Sequence, residues 1–221
     1  MLPATFIVGL TGSIGMGKST AAGMLRRLGL PVHDADAAVH RLMDQGGAAV
    51  AAVEAAFPGV ARDGRIDRGL LGQRVLNDDA AMKRLEGILH PLVRAEAKAF
   101  LARQARLHRP LAVLDIPLLF ETGGDALCDA VIVVSAPATT QRARVLSRPG
   151  MTEEKLRAIM ARQLPDAEKR ARADFVVQTG LTKGHSLRQL KAIVTLLKEA
   201  ASRRRGRPRR PSRHQQGIPD A

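Results

Sequence analysis

The chain has 221 residues, 45% hydrophobic, 25% charged and 2% aromatic, with a formal net charge of +14, a mix that belongs to a globular protein able to bury a core. Five Phe with neither Trp nor Tyr supply no aromatic platform for stacking bases, which argues against a single-strand nucleic-acid binder, and the lone Cys128 excludes an internal disulfide and favours a reducing compartment. The charge is uneven: seven arginines from Arg203 to Arg213 against Asp220 give residues 201–221 a net +6, leaving +8 on a body suited to anionic small-molecule ligands.

In chain order, MLPATFIVGL has no basic leader, and its apolar run is shorter than a signal core of ~7 to 15 residues. No stretch approaches the ~18 apolar residues of a membrane span. A cytoplasmic protein without a membrane partner is expected. Thr5–Leu10 reads as a short buried parallel strand, followed by a helix over Lys18–Leu28 and a second strand running from Pro31 into VHDAD. Ala35 to about His108 reads as mostly helical, with breaks at Gly46-Gly47, Pro58-Gly59, Asp63-Gly64 and His90-Pro91. Such a block is too long for a simple crossover and suggests an inserted helical subdomain. Leu111–Phe120 and Ala130–Pro137 read as strands, residues 138–148 and 152–164 as a basic helical hairpin, Asp174–Thr179 as a fifth strand and Ser186–Ala200 as a closing helix. Strands alternating with helices indicate an α/β fold with a parallel sheet. Residues 201–221, broken by Gly206, Pro208 and Pro211, read as a disordered basic tail, solvated and able to touch polyanions weakly.

Gly12-Ser13-Ile14-Gly15-Met16-Gly17-Lys18-Ser19 satisfies G-x-x-x-x-G-K-[ST] between a strand and a helix. Its glycines let backbone N–H groups wrap a phosphate, the helix N-terminus adds positive potential, Lys18 reaches the β and γ phosphates, and the Ser19 hydroxyl takes Mg²⁺. The expected ligand is a nucleoside triphosphate. A GTPase would carry [NT]-K-x-D after a strand; Thr182-Lys183-Gly184-His185 has the wrong fourth residue. A small-molecule kinase needs a base near the γ phosphate, an arginine-bearing lid and an acceptor pocket, and each has candidates. Asp34 and Asp36 end the second strand, where ligands meet open parallel sheets; Asp34 suits a helix cap and Asp36 a general base. Asp115 ends LAVLD as a water-mediated Mg²⁺ ligand would, and Glu121 follows after IPLLF. Gln141, Arg144 and Arg148 stand at helical spacing, so that both arginines share a face that can fold over a triphosphate or remain a solvated basic face.

Together these segments resemble the dephospho-CoA kinase family: GLTGSIGMGKST, the DAD after strand two, GRIDRGLL at 64–71, ILHP at 88–91, PLLFE at 117–121, Q-x-x-R-x-x-x-R at 141–148, Gln163 and ADFVV at 173–177, in the family's order over roughly residues 5–200. The resemblance implies a P-loop kinase fold: a five-stranded parallel sheet flanked by helices, an inserted helical substrate subdomain and a helical lid. Within one domain at 1–200, the core is then 1–36, 109–137 and 166–200, the acceptor-binding insertion about 37–108, and the lid about 138–165. It further implies ATP on Gly12 and Gly15–Thr20 (Gly15, Met16, Gly17, Lys18, Ser19, Thr20), and Asp36 as the base on the ribose 3′-hydroxyl of dephospho-CoA. Arg68, His90 and the turn bearing Pro117, Leu118 and Glu121 would face the acceptor, Arg144 and Arg148 would belong to the lid, and a monomer is expected. The family loop more often has Gly and Ser where this chain has Ser13 and Met16, and commonly Asn where it has Gln178. Another P-loop small-molecule kinase and a nucleic-acid-binding protein using the arginine tail remain as alternatives to be separated by experiment.

Overall fold

The computed structural model describes residues 5–76 and 78–204. By contacts the chain divides into two compact units, Met1–His33 with Arg103–Ala221, and Asp34–Ala102.

In the first unit, β1 (Phe6–Thr11), β2 (Val32–Asp34), β5 (Leu111–Asp115), β6 (Ala130–Ser135) and β7 (Phe175–Gln178) form one sheet in the order β2-β5-β1-β6-β7, whose β5–β1, β1–β6 and β6–β7 ladders are parallel. These strands read as near-continuous apolar runs because both faces are covered. Phe6, Val8 and Leu10 of β1 with Ala130, Ile132 and Val134 of β6 meet the helices α1 (Lys18–Arg27) and α9 (Lys183–Arg204) through Leu25, Leu190 and Leu197. The alternate residues Ile7, Val131 and Val133 meet Leu119, Phe120 and Cys128 on the other face. Helix α1 ends on Gly29 at φ 81°, where Leu30 N donates to Leu25 O and Gly29 N to Arg26 O, a Schellman stop that turns the chain toward β2. The hairpin after β6 consists of α6 (Ala138–Leu146) and α7 (Glu153–Ala161). A further short helix, α8 (Asp166–Arg172), precedes β7.

Several expectations shift. The third strand stops at Asp115 rather than Phe120; Ile116 N still makes a ladder bond to Leu10 O, and Pro117 follows. Helix α6 ends at Leu146, so Arg148 lies beyond it and does not share a helical face with Arg144. Ala201–Arg204 continue α9, where Arg204 pairs with Asp129 Oδ1 at 2.5 Å; the rest of the segment read as a tail, 205–221, lies outside the described residues.

In the second unit, α2 (Ala35–Met43), α3 (Val50–Ala56), α4 (Arg68–Val75) and the Asp79–Ala102 part of α5 (Asp79–Arg106) surround a separate core of Leu42, Val53, Phe57, Ile66, Leu71 and Leu85. Within this largely helical block sits a small hairpin, β3 (Ala61–Arg62) and β4 (Arg65–Ile66). Asp63 at φ 50° and Gly64 at φ 73° form its two-residue turn, the Asp-Gly pair that fits the right-handed twist of flanking strands. The expected break at His90-Pro91 is absent: Pro91 lies inside α5, and His90 is mid-helix. A buried stripe of Ala81, Leu85 and Leu89 continues past the proline through the partly buried Leu92 and Val93. Apolar burial at ~25 cal/mol per Å² over several such side chains outweighs the ~3 kcal/mol a helical proline costs.

Candidate active site

The loop from Gly12 to Gly17 connects β1 to α1 at the carboxyl end of the sheet, where open parallel sheets bind ligands. Its conformation demands glycine: Gly15 and Gly17 have φ 75° and 85°, and a Cβ on Gly12 would lie 2.4 Å from Val134 Cγ2. Every carbonyl from Ser13 to Gly17 is taken. Met16 N donates to Ser13 O (3.1 Å) and Ala21 N to Gly17 O (3.1 Å). Gln141 Nε2 donates to Ile14 O (2.8 Å), Arg144 Nη1 to Gly15 O (3.4 Å), and Thr179 Oγ1 to Met16 O (2.6 Å). With the carbonyls tied back, the N–H groups of Gly15 and Gly17 donate to no other described residue, and the first turn of α1 adds N–H groups that no intrahelical carbonyl can take. Such a loop is an anion cradle reinforced by the helix macrodipole.

Beside it, Lys18 Nζ lies 2.6 Å from Asp115 Oδ1, with the carboxylate almost wholly buried. Ser19 and Thr20 are exposed at the start of α1. Met16 is 2% exposed, belongs to the sheet core, and its Sδ accepts from Ala136 N at 3.1 Å. Arg144 is fixed beneath the loop, where Nη2 also donates to Thr179 O (2.6 Å), whereas Arg148 is exposed and its side chain bonds to no described residue. Glu121, in the turn that also holds Pro117 and Leu118, directs Oε1 to Leu164 N (2.9 Å) and to the fully buried Lys169 Nζ (2.8 Å). Thr11 Oγ1 donates to Pro117 O (2.9 Å) and fixes that turn against the end of β1.

In the second unit, Asp34 caps α2 as read, accepting from Ala37 N at 3.0 Å, and Asp36 is exposed in the first turn. Arg68, the first residue of α4, donates from Nη1 to His40 Nε2 (2.8 Å), which places the His40 proton on Nδ1. His40, Met43, Asp44, Arg65, Asp67 and Arg68 line part of a cleft of about 500 Å³. The Asp67 carboxyl is held below the usual range, chiefly by the N–H groups of Leu70 and Gly69 and further by Arg62 and Arg65. His90, half-buried on α5, is not among the residues lining that cleft.

A metal would find hard oxygen donors here. The Ser19 hydroxyl bonds to no described residue, and Asp115 presents a carboxylate at the end of β5. The described residues contain no group of three or more His, Cys, Asp or Glu able to cage a metal. That donor set fits Mg²⁺, which keeps its waters and is held mainly by phosphates.

Sequence reading missed Thr179, Lys169 and the use of Gln141 and Gln163 on the loop. Gln163 Oε1 accepts from Ile14 N at 3.0 Å across 149 residues of chain, a relation no local spacing reports.

A parallel sheet in this order, with a glycine-rich phosphate loop after its central strand and a basic helical hairpin after β6, defines the P-loop kinases. Among solved structures, a Thermus thermophilus protein, TT1252, is 36% identical with a TM-score of 0.75, covering 87% of this chain and 98% of that one. The dephospho-CoA kinase of Campylobacter jejuni, at 24% identity and a TM-score of 0.62 over 89% and 99%, shares the fold. The family model described as dephospho-CoA kinase matches residues 6–183, and the dephospho-CoA kinase of Paramagnetospirillum magneticum is 62% identical over 87% of this chain and 91% of its own length. The chain belongs to the dephospho-CoA kinase family and is a phosphotransferase.

Proposed function

We infer that the chain transfers the γ-phosphoryl group of ATP to the ribose 3′-hydroxyl of dephospho-CoA, giving ADP and coenzyme A, the last step of CoA biosynthesis. The observation that carries the donor side is the loop whose carbonyls from Ser13 to Gly17 are all engaged, which leaves the N–H groups of Gly15 and Gly17 for a triphosphate. Family membership over residues 6–183 supports the acceptor.

Phosphoryl transfer asks for positioning and charge neutralisation rather than covalent chemistry on the enzyme. Gly12, Gly15, Met16, Gly17, Ser19 and Thr20 orient the phosphates, and Lys18 moves its ammonium from Asp115 onto the β and γ oxygens. Asp36 accepts the 3′-hydroxyl proton as the new oxygen–phosphorus bond forms and the bond from the γ phosphorus to the bridging oxygen breaks, leaving ADP. Arg68, His90, Pro117 and Leu118 position the acceptor. Arg148 closes on the phosphates from beyond α6, and Arg144 holds the loop from below. Mg²⁺, on Ser19 and through water on Asp115, would neutralise the β and γ oxygens when bound. A cytoplasmic monomer is the simplest setting; among the described residues no helix is long and apolar enough to cross a membrane.

The test is purified protein with Mg-ATP and a panel of acceptors (dephospho-CoA, nucleosides, sugars, shikimate), read by mass. A single added phosphate on dephospho-CoA alone is expected; phosphorylation of another acceptor in its place overturns the reading. Asp36→Asn should lower kcat by about 10² or more, the usual span of general base catalysis, with ATP affinity unchanged. Near-normal turnover would remove Asp36 from the base role.

A further inference from the structure

Lys169 is the largest fully buried side chain among the described residues, 0% exposed, and its ammonium has one charged partner, Glu121 Oε1 at 2.8 Å. Neither Lys169 Nζ nor Glu121 Oε2 makes a well-aligned hydrogen bond, although both are shut off from water. Desolvating two charges costs several kcal/mol per ion, and well-packed neutral residues of the same volume hold a fold at least as well. Stability is therefore a poor reason for this pair.

Its surroundings suggest another. The same Glu121 Oε1 accepts from Leu164 N at 2.9 Å, fixing the backbone where the chain leaves α7. The neighbouring Gln163 places Oε1 on Ile14 N at 3.0 Å. Ile14 O in turn receives Gln141 Nε2 (2.8 Å) from α6. Both roots of the helical hairpin thus grip one residue of the phosphate loop, Gln141 by its carbonyl and Gln163 by its N–H. Of the two, Gln141 sits on a regular helix, while Gln163 lies on an irregular strap between α7 and α8 whose register depends on what holds Leu164.

We propose that Glu121 and Lys169 are a positioning pair: they fix the Gln163–Leu164 strap so that Gln163 holds Ile14, and thereby set the affinity of the phosphate loop for the triphosphate of ATP. This rests on the reading of that loop as the ATP site. Lys169 supplies the opposite charge that keeps the Glu121 carboxylate turned inward, and Glu121 sets the strap.

The charge-neutral double variant Glu121→Leu/Lys169→Met separates positioning from stability, since it removes the acceptor of Leu164 N while leaving no charge buried. It should melt within a few degrees of wild type and bind Mg-ATP about tenfold more weakly, the equivalent of one hydrogen bond. Gln163→Ala should weaken Mg-ATP binding by a similar factor, and adding it to the double variant should bring no further loss, because both act on Ile14. Unchanged Mg-ATP affinity in the double variant, or losses that multiply with Gln163→Ala, would overturn the proposal. Should the double variant not fold, the cycle of Glu121→Leu with Gln163→Ala gives the same two outcomes. A wild-type protein that does not bind Mg-ATP overturns both this proposal and the functional reading, whereas normal wild-type binding with an unaffected double variant overturns the pair alone.

Discussion

Replacing Gly12 by Ala adds one methyl group at the most tightly enclosed position of the phosphate loop. A Cβ there would lie 2.4 Å from Val134 Cγ2 and 2.7 Å from Val134 O, both inside the 3.0 Å that real Cβ contacts respect. Neither atom yields easily: Val134 is 0% exposed on β6, which is flanked by β1 and β7 in the sheet. Gly12 does not have positive φ, so the conformation itself admits alanine and the resistance is purely packing. Overpacking of this kind costs about 1 to 3 kcal/mol, and in a chain of this size each kcal/mol lowers Tm by about 2 to 4 °C. Thermal melts should therefore show a fall of about 2 to 12 °C, and because the strain relaxes by lifting the loop from β6, KM for ATP should rise while KM for dephospho-CoA holds. Val134→Ala removes Cγ2 but leaves the carbonyl at 2.7 Å, so the double variant should lose less than the sum of the singles while remaining below Val134→Ala alone. Wild-type Tm and KM for ATP in Gly12→Ala would refute the reasoning, since the loop would then be free to move where the structure makes it rest on β6.

Glu54 accepts Gly59 N at 2.7 Å and Ala61 N at 2.6 Å, and these bonds hold its carboxyl below the usual glutamate range. Because the folded value is the lower one, its contribution is present above the unfolded pKa of about 4.3 and is lost as pH falls through the folded value. The Tm gap between wild type and Glu54→Gln should be constant from neutral pH to about pH 5 and close below about pH 4; a gap indifferent to pH would refute this. Pro91→Ala restores a helical N–H within α5 and should raise Tm, with a gain in stability of up to the ~3 kcal/mol difference between the two residues in a helix interior; a lower Tm would mean the proline geometry is required there. Deleting residues 205–221 should leave kcat intact and abolish salt-dependent retention on heparin, whereas lost turnover would give that segment a part in the reaction.

The features readable from sequence are those whose partners lie within a few residues. The phosphate loop spans eight positions, and its fixed residues report backbone needs that only glycine, lysine and a hydroxyl meet. Asp34 caps a helix three residues away, and the strands announce themselves as apolar runs because two faces demand apolar side chains at every position. Pro91 misled because a local rule was weighed without the buried stripe running past it on both sides. The Asp63-Gly64 turn was visible only as a break, since strands of two residues leave no alternation to read.

What the sequence hid is the half of the phosphate site that faces away from phosphate. A loop that offers its N–H groups to an anion must settle its carbonyls elsewhere, since a buried unpaired carbonyl costs about 1 to 3 kcal/mol. In β1 and α1 that requirement is met by regular ladders, but Ile14, Gly15 and Met16 belong to neither. Their carbonyls are met by Gln141, Arg144 and Thr179, more than 120 residues further along the chain. The helical spacing of Gln141 and Arg144 singles those two out but does not report that they meet loop carbonyls, and Thr179 stands in no local motif. They share a location: Gln141 and Arg144 stand on the helix after β6, and Thr179 stands just past β7, the next strand outward. Each lies near the carboxyl end of a strand on the same side of β1, where a parallel sheet brings successive strand ends together. A residue of this kind becomes findable once the strand order is known, by asking which polar side chains just beyond β6 and β7 reach the loop after β1.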